Sequence, residues 1–214
     1  MSQNGQAIIE ILSKMYPDAG CELNYNSAFE LLVAVILSAQ CTDKRVNVVT
    51  KELFKVADTS QKMAIIDIGE LEKLIYSCGF YKNKAANIKA AAIEIVKRFD
   101  GEVPSSLEQL TSLRGVGRKT ANVVLSEVFG VDVIAVDTHV FRVSRRLGLS
   151  KKNTPLLVEK DLIEIFGQPM LLADAGTLSN LHHLLIFHGR YCCHSQKPNC
   201  DKCNLMEYCT YVHR

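Results

Sequence analysis

Phe29 to Leu37 reads Phe-Glu-Leu-Leu-Val-Ala-Val-Ile-Leu, with one charge in nine residues. A helix of that composition is apolar on almost every side, so it must be buried among other elements rather than laid on a surface. Ser27 stands where a helix cap belongs. The uncharged stretch, Leu31 to Leu37, is far too short to cross a bilayer. The rest of the chain supplies the elements to surround such a helix. Ile8, Ile9, Leu12 and Met15 share one helical face. Val46, Val49, Leu53 and Val56 repeat at the same spacing, as do Leu71, Leu74 and Ile75, then Ile88, Ala92, Ile95 and Phe99. Val123, Val124, Val128 and Phe129 form a further group, and Val140, Val143 and Leu147 another. Ser105 with Glu108 has the form of a capping box. Only Val131 to Val136 looks strand-like. One strand makes no sheet, so it is expected to be an extended connector. Pro104, Pro155, Pro169 and Pro198 fall between periodic segments, where they interrupt no helix. The pattern predicts an all-α protein.

The 214 residues suffice for one large domain or two small ones. Net charge is only +2, and its distribution is more informative than its sum. Thr111 to Ala121 carries Arg114, Arg118 and Lys119 and no acid. Thr138 to Lys152 carries Arg142, Arg145, Arg146, Lys151 and Lys152, again with no acid. Such segments suit a phosphate-binding surface and equally suit a solvated helix face. The first ten residues lack the basic start and apolar stretch of a secretory signal, so a soluble intracellular protein is expected. Eight cysteines in that setting argue for a metal site over a disulfide framework.

Four of the cysteines, Cys193, Cys200, Cys203 and Cys209, are separated by six, two and five residues. Four thiolates so close in sequence can surround one metal centre. Structural zinc and an iron–sulfur cluster both fit four sulfurs, and spacing alone does not choose between them. Cys192 adjoins Cys193, but neighbouring side chains point apart. Cys21, Cys41 and Cys78 are scattered and expected to be buried, reduced thiols. His182, His183 and His188, on a helix leading into the cysteines, are expected to pack and hydrogen-bond rather than bind metal. Lys197-Pro198, between Cys193 and Cys200, is either a phosphate contact or an ordinary surface lysine.

Leu113-Arg114-Gly115-Val116-Gly117-Arg118-Lys119-Thr120-Ala121 is a glycine turn feeding an apolar helix. Gly115 and Gly117 allow positive φ, and backbone N–H groups at such a turn and helix start form an anion site. The spacing lacks the Gly-Lys-Ser/Thr ending of a nucleotide-binding loop. Lys119, beside Arg118 at the positive end of that helix, is favoured toward the free amine that an imine-forming lysine needs. It is equally placed to contact phosphate or solvent. Asp137, in Val136-Asp137-Thr138-His139, fits a helix N-cap, and a cap can also be a catalytic carboxylate. His139 is available as an acid or base, though a structural role is the simpler expectation.

Taken together with Leu37-Ser38-Ala39-Gln40-Cys41-Thr42-Asp43 and His188-Gly189-Arg190-Tyr191, these motifs occur in an order that closely resembles the endonuclease III family of helix-hairpin-helix DNA glycosylases. The resemblance covers essentially the whole chain. It implies two lobes: a helical barrel over residues 21–131, and a second lobe from 1–20 and 132–214 that ends in a [4Fe-4S] cluster loop. It implies an active-site cleft with Lys119 as nucleophile and Asp137 as essential carboxylate. Cys193, Cys200, Cys203 and Cys209 would hold the cluster. Gln40 matches the residue that fills the gap left by an extruded nucleotide, and Phe80 stands where an aliphatic wedge enters the opposite strand. Gly115 and Gly117, with Arg118, match the phosphate-gripping hairpin, and Lys197 a DNA contact on the cluster loop. The implied activity is bifunctional: excision of oxidised pyrimidines from duplex DNA, then strand cleavage 3′ to the abasic site by β-elimination. The implied setting is a cytoplasmic, nucleoid-associated monomer with no membrane contact. The adenine glycosylases that share the fold and cluster lack the lysine. Two departures stand out: Arg114 replaces a usual proline, and Thr111 stands where some members carry an acid.

Overall fold

The computed structural model describes residues 4–167 and 178–212. Among them there is no strand, and no helix is long and apolar enough to cross a membrane. The chain divides into two compact units, Glu22–Gly130 and Met1–Cys21 with Val131–Arg214.

The first unit is organised around the apolar run. Helix α2 (Ala28–Ser38) buries every residue from Phe29 to Leu37. Burying each large aliphatic side chain contributes about 1.5–3 kcal/mol. Ser27 caps it, accepting from Glu30 N at 3.1 Å. Glu30 is buried as well, which is tolerable because its carboxylate accepts from Asn26 N at 2.6 Å and Asn26 Nδ2 at 3.0 Å. Around α2 pack α3 (Asp43–Val56), α6 (Tyr81–Arg98) and α8 (Arg118–Phe129). The short α4 (Ser60–Ile65) and α5 (Ile68–Leu74) lie against α6, and α7 (Leu107–Ser112) pairs with α8.

The second unit is built from α1 (Asn4–Met15), α9 (Thr138–Arg146), α10 (Pro155–Phe166) and α11 (Leu178–Tyr191). Helix α11 packs on both α9 and α1. Ile8, Ile9 and Leu12 join Val140, Val143, Phe166, Leu181 and Leu185 in one core. Residues 131–136 form no strand and run as an extended connector, with Ile134, Ala135 and Val136 buried. Gly189 lets α11 approach α9: a Cβ there would stand 2.9 Å from His139 Cβ.

Three expectations need correction. The cap of α7 is Ser106, accepting from Gln109 N, and not Ser105 with Glu108. The helix so capped buries Leu110 completely. Of the two hairpin glycines only Gly115 uses positive φ, at 80°, whereas Gly117 is at −89°. Val56, at the end of its helix, is 43 % exposed rather than core. Pro155 opens α10, Pro104 and Pro198 lie outside α-helices, and Pro169 lies outside the described residues.

Candidate functional site

In the first unit, α7 and α8 are joined by a tight turn pinned at two buried points, Leu113 and Val116, with Val116 N donating to Leu113 O at 3.1 Å. Gly115 sits against α6: a Cβ at this position would lie 2.6 Å from Asn87 Cβ. Gly117 is the N-cap of α8, makes no side-chain cap bond, and has nothing within 4 Å of where a Cβ would be. The opening amides of α8 thus have no side-chain cap and the cap position itself is open, the arrangement that can receive an anion. Arg118 and Lys119 are exposed in the first turn of that helix, and Arg114 is exposed on the turn itself. The Thr111 hydroxyl is turned back on its own helix, donating to Leu107 O at 2.7 Å.

Gln40 and Phe80 occupy two neighbouring turns of the same unit. Both are non-glycine residues in the left-handed region, at φ 54° and 58°, a conformation that costs about 1–2 kcal/mol for an L side chain. The two turns run close together, since a Cβ at Gly79 would be 3.7 Å from Gln40 O. Buried Lys84 donates to Leu37 O at 2.8 Å, tying the start of α6 to the end of α2. Phe80 is 66 % exposed, and the rings of nearby Tyr76 and Tyr81 meet at 4.9 Å, tilted by 57°. Cys41 and Cys78 are not scattered: Cys78 is buried, and the partly exposed Cys41 is close enough to act on its thiol. Sequence separation concealed that pairing.

In the second unit, Asp137 is the N-cap of α9, accepting from Val140 N at 2.8 Å. His139 is half-buried and held below its ordinary pKa, first by desolvation and then by Arg142 and Arg190, against the opposing pull of Asp137. Arg142 donates to Gly189 O at 2.9 Å and Cys193 O at 3.1 Å. Arg146 donates to His194 O at 2.6 Å, Ser195 O at 3.1 Å and Cys193 Sγ at 3.3 Å, and lies over the Tyr211 ring at 4.2 Å. Two members of the basic segment thus scaffold the cysteine loop, a role that charge alone did not suggest. Their spacing of one helical turn was the available signal. Arg145 is exposed over Phe141, and Lys197 is exposed with φ 48°.

Cys193, Cys200, Cys203 and Cys209 line one pocket with Cys192 and His188. Contrary to the expectation that it points away, Cys192 is buried here, its thiol donating to Asn199 O at 3.6 Å; burial first, then its thiol neighbours, push its pKa up to about 12. The ligand atoms of His188, Cys192 and Cys203 lie within 4.8 Å of one another. Burial holds His188 down to about 4, and its Nδ1 pairs with Tyr16 Oη at 3.2 Å. Sulfur donors, no lining carboxylate, and the Arg146 cation on Cys193 suit a thiophilic metal centre rather than a hard cation. The cysteine-rich end of the chain is therefore able to bind a metal.

This assembly of helical hairpin, basic helix start and thiol pocket matches one class of protein. Residues 33–168 match the model of the HhH-GPD superfamily of base excision DNA repair proteins. The chain is 47% identical to endonuclease III of Synechocystis over 97% of its own length and 92% of the relative's. It superposes on endonuclease III in a non-covalent complex with DNA at TM-score 0.91 and 45% identity, covering 100% of this chain and 97% of that one. A trapped covalent intermediate of endonuclease III with DNA matches with the same figures. The chain belongs to the endonuclease III family within the HhH-GPD superfamily, and is a base excision DNA repair enzyme.

Proposed function

We propose that this chain is a bifunctional DNA glycosylase and AP lyase acting on oxidised pyrimidines in duplex DNA, with Lys119 as nucleophile and Asp137 as its carboxylate partner. The observation that carries the reading is the likeness to a covalently trapped enzyme–DNA intermediate, in a chain whose exposed Lys119 opens α8 directly after the hairpin. A target base inside a duplex is out of reach, so the nucleotide must leave the stack, at a cost of a few kcal/mol. Gln40 fills the space it vacates and Phe80 enters opposite. The open amides after Gly115 and Gly117, with Arg118, hold a backbone phosphate, and Lys197 adds a further contact. Lys119 then attacks C1′ as the free amine, the bond to the base breaks, and the base departs with a proton. One Asp137 oxygen caps α9; the other stabilises the cationic sugar and assists proton transfer. The resulting imine acidifies the C2′ proton. Its removal expels the 3′ phosphate and cuts the strand. Such a substrate would place the enzyme at the nucleoid, in the cytoplasm.

Cys193, Cys200, Cys203 and Cys209 are the residues we assign to a [4Fe-4S] cluster, which when bound would fix the loop that presents Lys197. Arg146 offsets the negative charge that thiolate ligands bring. Iron and acid-labile sulfide, rather than zinc, are expected in the purified protein. Borohydride trapping on a thymine-glycol or abasic duplex tests the mechanism. A covalent adduct with wild type and none with Lys119→Ala is expected; an undiminished adduct in the variant overturns the assignment.

A further inference from the structure

Cys41 and Cys78 belong to no part of the chemistry above, yet they sit at the junction of the two turns that present Gln40 and Phe80. Four observations converge there. The turns run close together, since a Cβ added at Gly79 would lie 3.7 Å from the Gln40 carbonyl oxygen. The Cys41 side chain acts directly on the Cys78 thiol. Cys78 is fully buried while Cys41 is partly exposed, so only one of the pair meets solvent. Burial first, and then Cys41, push the Cys78 thiol up to about 11 against the pull of the Lys84 and Arg45 cations, so Cys78 waits as the neutral thiol while the more exposed Cys41 meets the oxidant.

We propose that Cys41 and Cys78 are a modification site, a dithiol that two-electron oxidation closes into a disulfide, fastening the Gln40 turn to the Phe80 turn. Hydrogen peroxide is the class of oxidant. The Cys41 sulfur attacks one peroxide oxygen, the O–O bond breaks, and the displaced hydroxide leaves as water with the thiol proton; Cys41 is then a sulfenic acid. The Cys78 sulfur attacks the Cys41 sulfur, the S–O bond breaks, and the second hydroxide leaves as water with the Cys78 proton. Two thiols lose two protons and two electrons, and one peroxide becomes two waters. A partly exposed attacking thiol beside a buried resolving thiol is the arrangement this sequence needs.

A disulfide spans only about 2.05 Å between sulfurs, well under the reach of a thiol–thiol hydrogen bond. Closing it draws the two turns together and fixes them. Groups that must enter a duplex tolerate displacement of only about 0.5 Å, so the oxidised protein binds DNA less well. This consequence rests on the assignment of Gln40 and Phe80 to DNA insertion made above. Reduction restores the open pair.

The test treats intact protein with peroxide, blocks remaining thiols, digests, and looks by mass spectrometry for the Cys41 peptide joined to the Cys78 peptide. Affinity for a lesion-bearing duplex is measured in parallel on oxidised, re-reduced and Cys41→Ser protein. A joined peptide, about tenfold weaker binding that a dithiol reverses, and no such response in Cys41→Ser are expected. No joined peptide overturns the site. A joined peptide with unchanged affinity, or equal losses in wild type and Cys41→Ser, overturns the switch. Borohydride trapping on the reduced protein reads Lys119 independently, so a protein that traps normally and forms no joined peptide refutes this inference alone.

Discussion

Replacing Gly115 by alanine tests the hairpin most directly, because two separable penalties meet at one atom. The backbone there has φ 80°, and an L residue in the left-handed region loses about 1–2 kcal/mol. The new methyl would also stand 2.6 Å from Asn87 Cβ and 2.8 Å from Asn87 Cγ. The nearest of these atoms is fixed to the α6 backbone and cannot rotate away, so overpacking adds about 1–3 kcal/mol. A less flexible unfolded chain returns about 0.4–1 kcal/mol. The net expectation is a loss of about 2–4 kcal/mol, read from urea unfolding midpoints at unchanged slope. Asn87→Gly removes the clashing atoms but leaves the dihedral penalty. A double-mutant cycle should therefore show a coupling of about 1–3 kcal/mol between the two positions. Gly115→Ala within about 0.5 kcal/mol of wild type, or an additive cycle, would refute the reasoning.

Gly117→Ser separates folding from binding at the same turn: the position is extended and open, and serine is a good N-cap, so the unfolding midpoint should hold or rise. Its side chain would occupy the space before the α8 amides, so DNA affinity should fall; unchanged affinity sinks the phosphate assignment. Gly189→Ala puts a methyl 2.9 Å from His139 Cβ and 3.0 Å from Nδ1. Overpacking of about 1–3 kcal/mol should outweigh the helix-propensity gain of about 1 kcal/mol, and a raised thermal midpoint would contradict it. His139 gives a pH dependence. Its folded pKa lies below the unfolded value of 6.5, so the unfolded chain binds the proton better and stability falls as pH drops from 6.5 toward the folded value. Melting midpoints should decline more steeply over that range in wild type than in His139→Gln; equal slopes would remove His139 as the cause.

The helices were legible because their apolar residues recur at helical spacing and their caps carry the right side chains. Ser27 and Asp137 are caps for reasons visible in the sequence. The α7 start slipped by one residue because Ser105 and Ser106 are chemically alike, and only the bond from Gln109 N to the Ser106 hydroxyl tells them apart. The cysteine-rich end was equally legible, since its members lie close along the chain. What stayed hidden was long-range. Cys41 and Cys78 looked unrelated, Arg142 and Arg146 looked like surface charge, and Cys192 looked turned away. For the cysteine pair and the two arginines the partner comes from a distant segment, and no periodicity records that distance; Cys192 is turned inward by the fold of its own loop.

The division of the second unit into two separated stretches of chain has a consequence for how the molecule is made. Helix α1 leaves the ribosome before the inserted unit does, yet its apolar face packs on α11, which is made after that unit. All of Glu22–Gly130 is synthesised in between, and it contains every partner of α2 that its own core requires. During synthesis the inserted unit can therefore fold while Ile8, Ile9 and Leu12 remain uncovered. Nascent chains halted after Gly130 should protect the inserted unit from protease yet lose α1. Protection of α1 at that stage would mean that it finds an interim partner. For its time on the ribosome this chain carries an exposed apolar helix ahead of the inserted unit, a natural place for a chaperone to hold it.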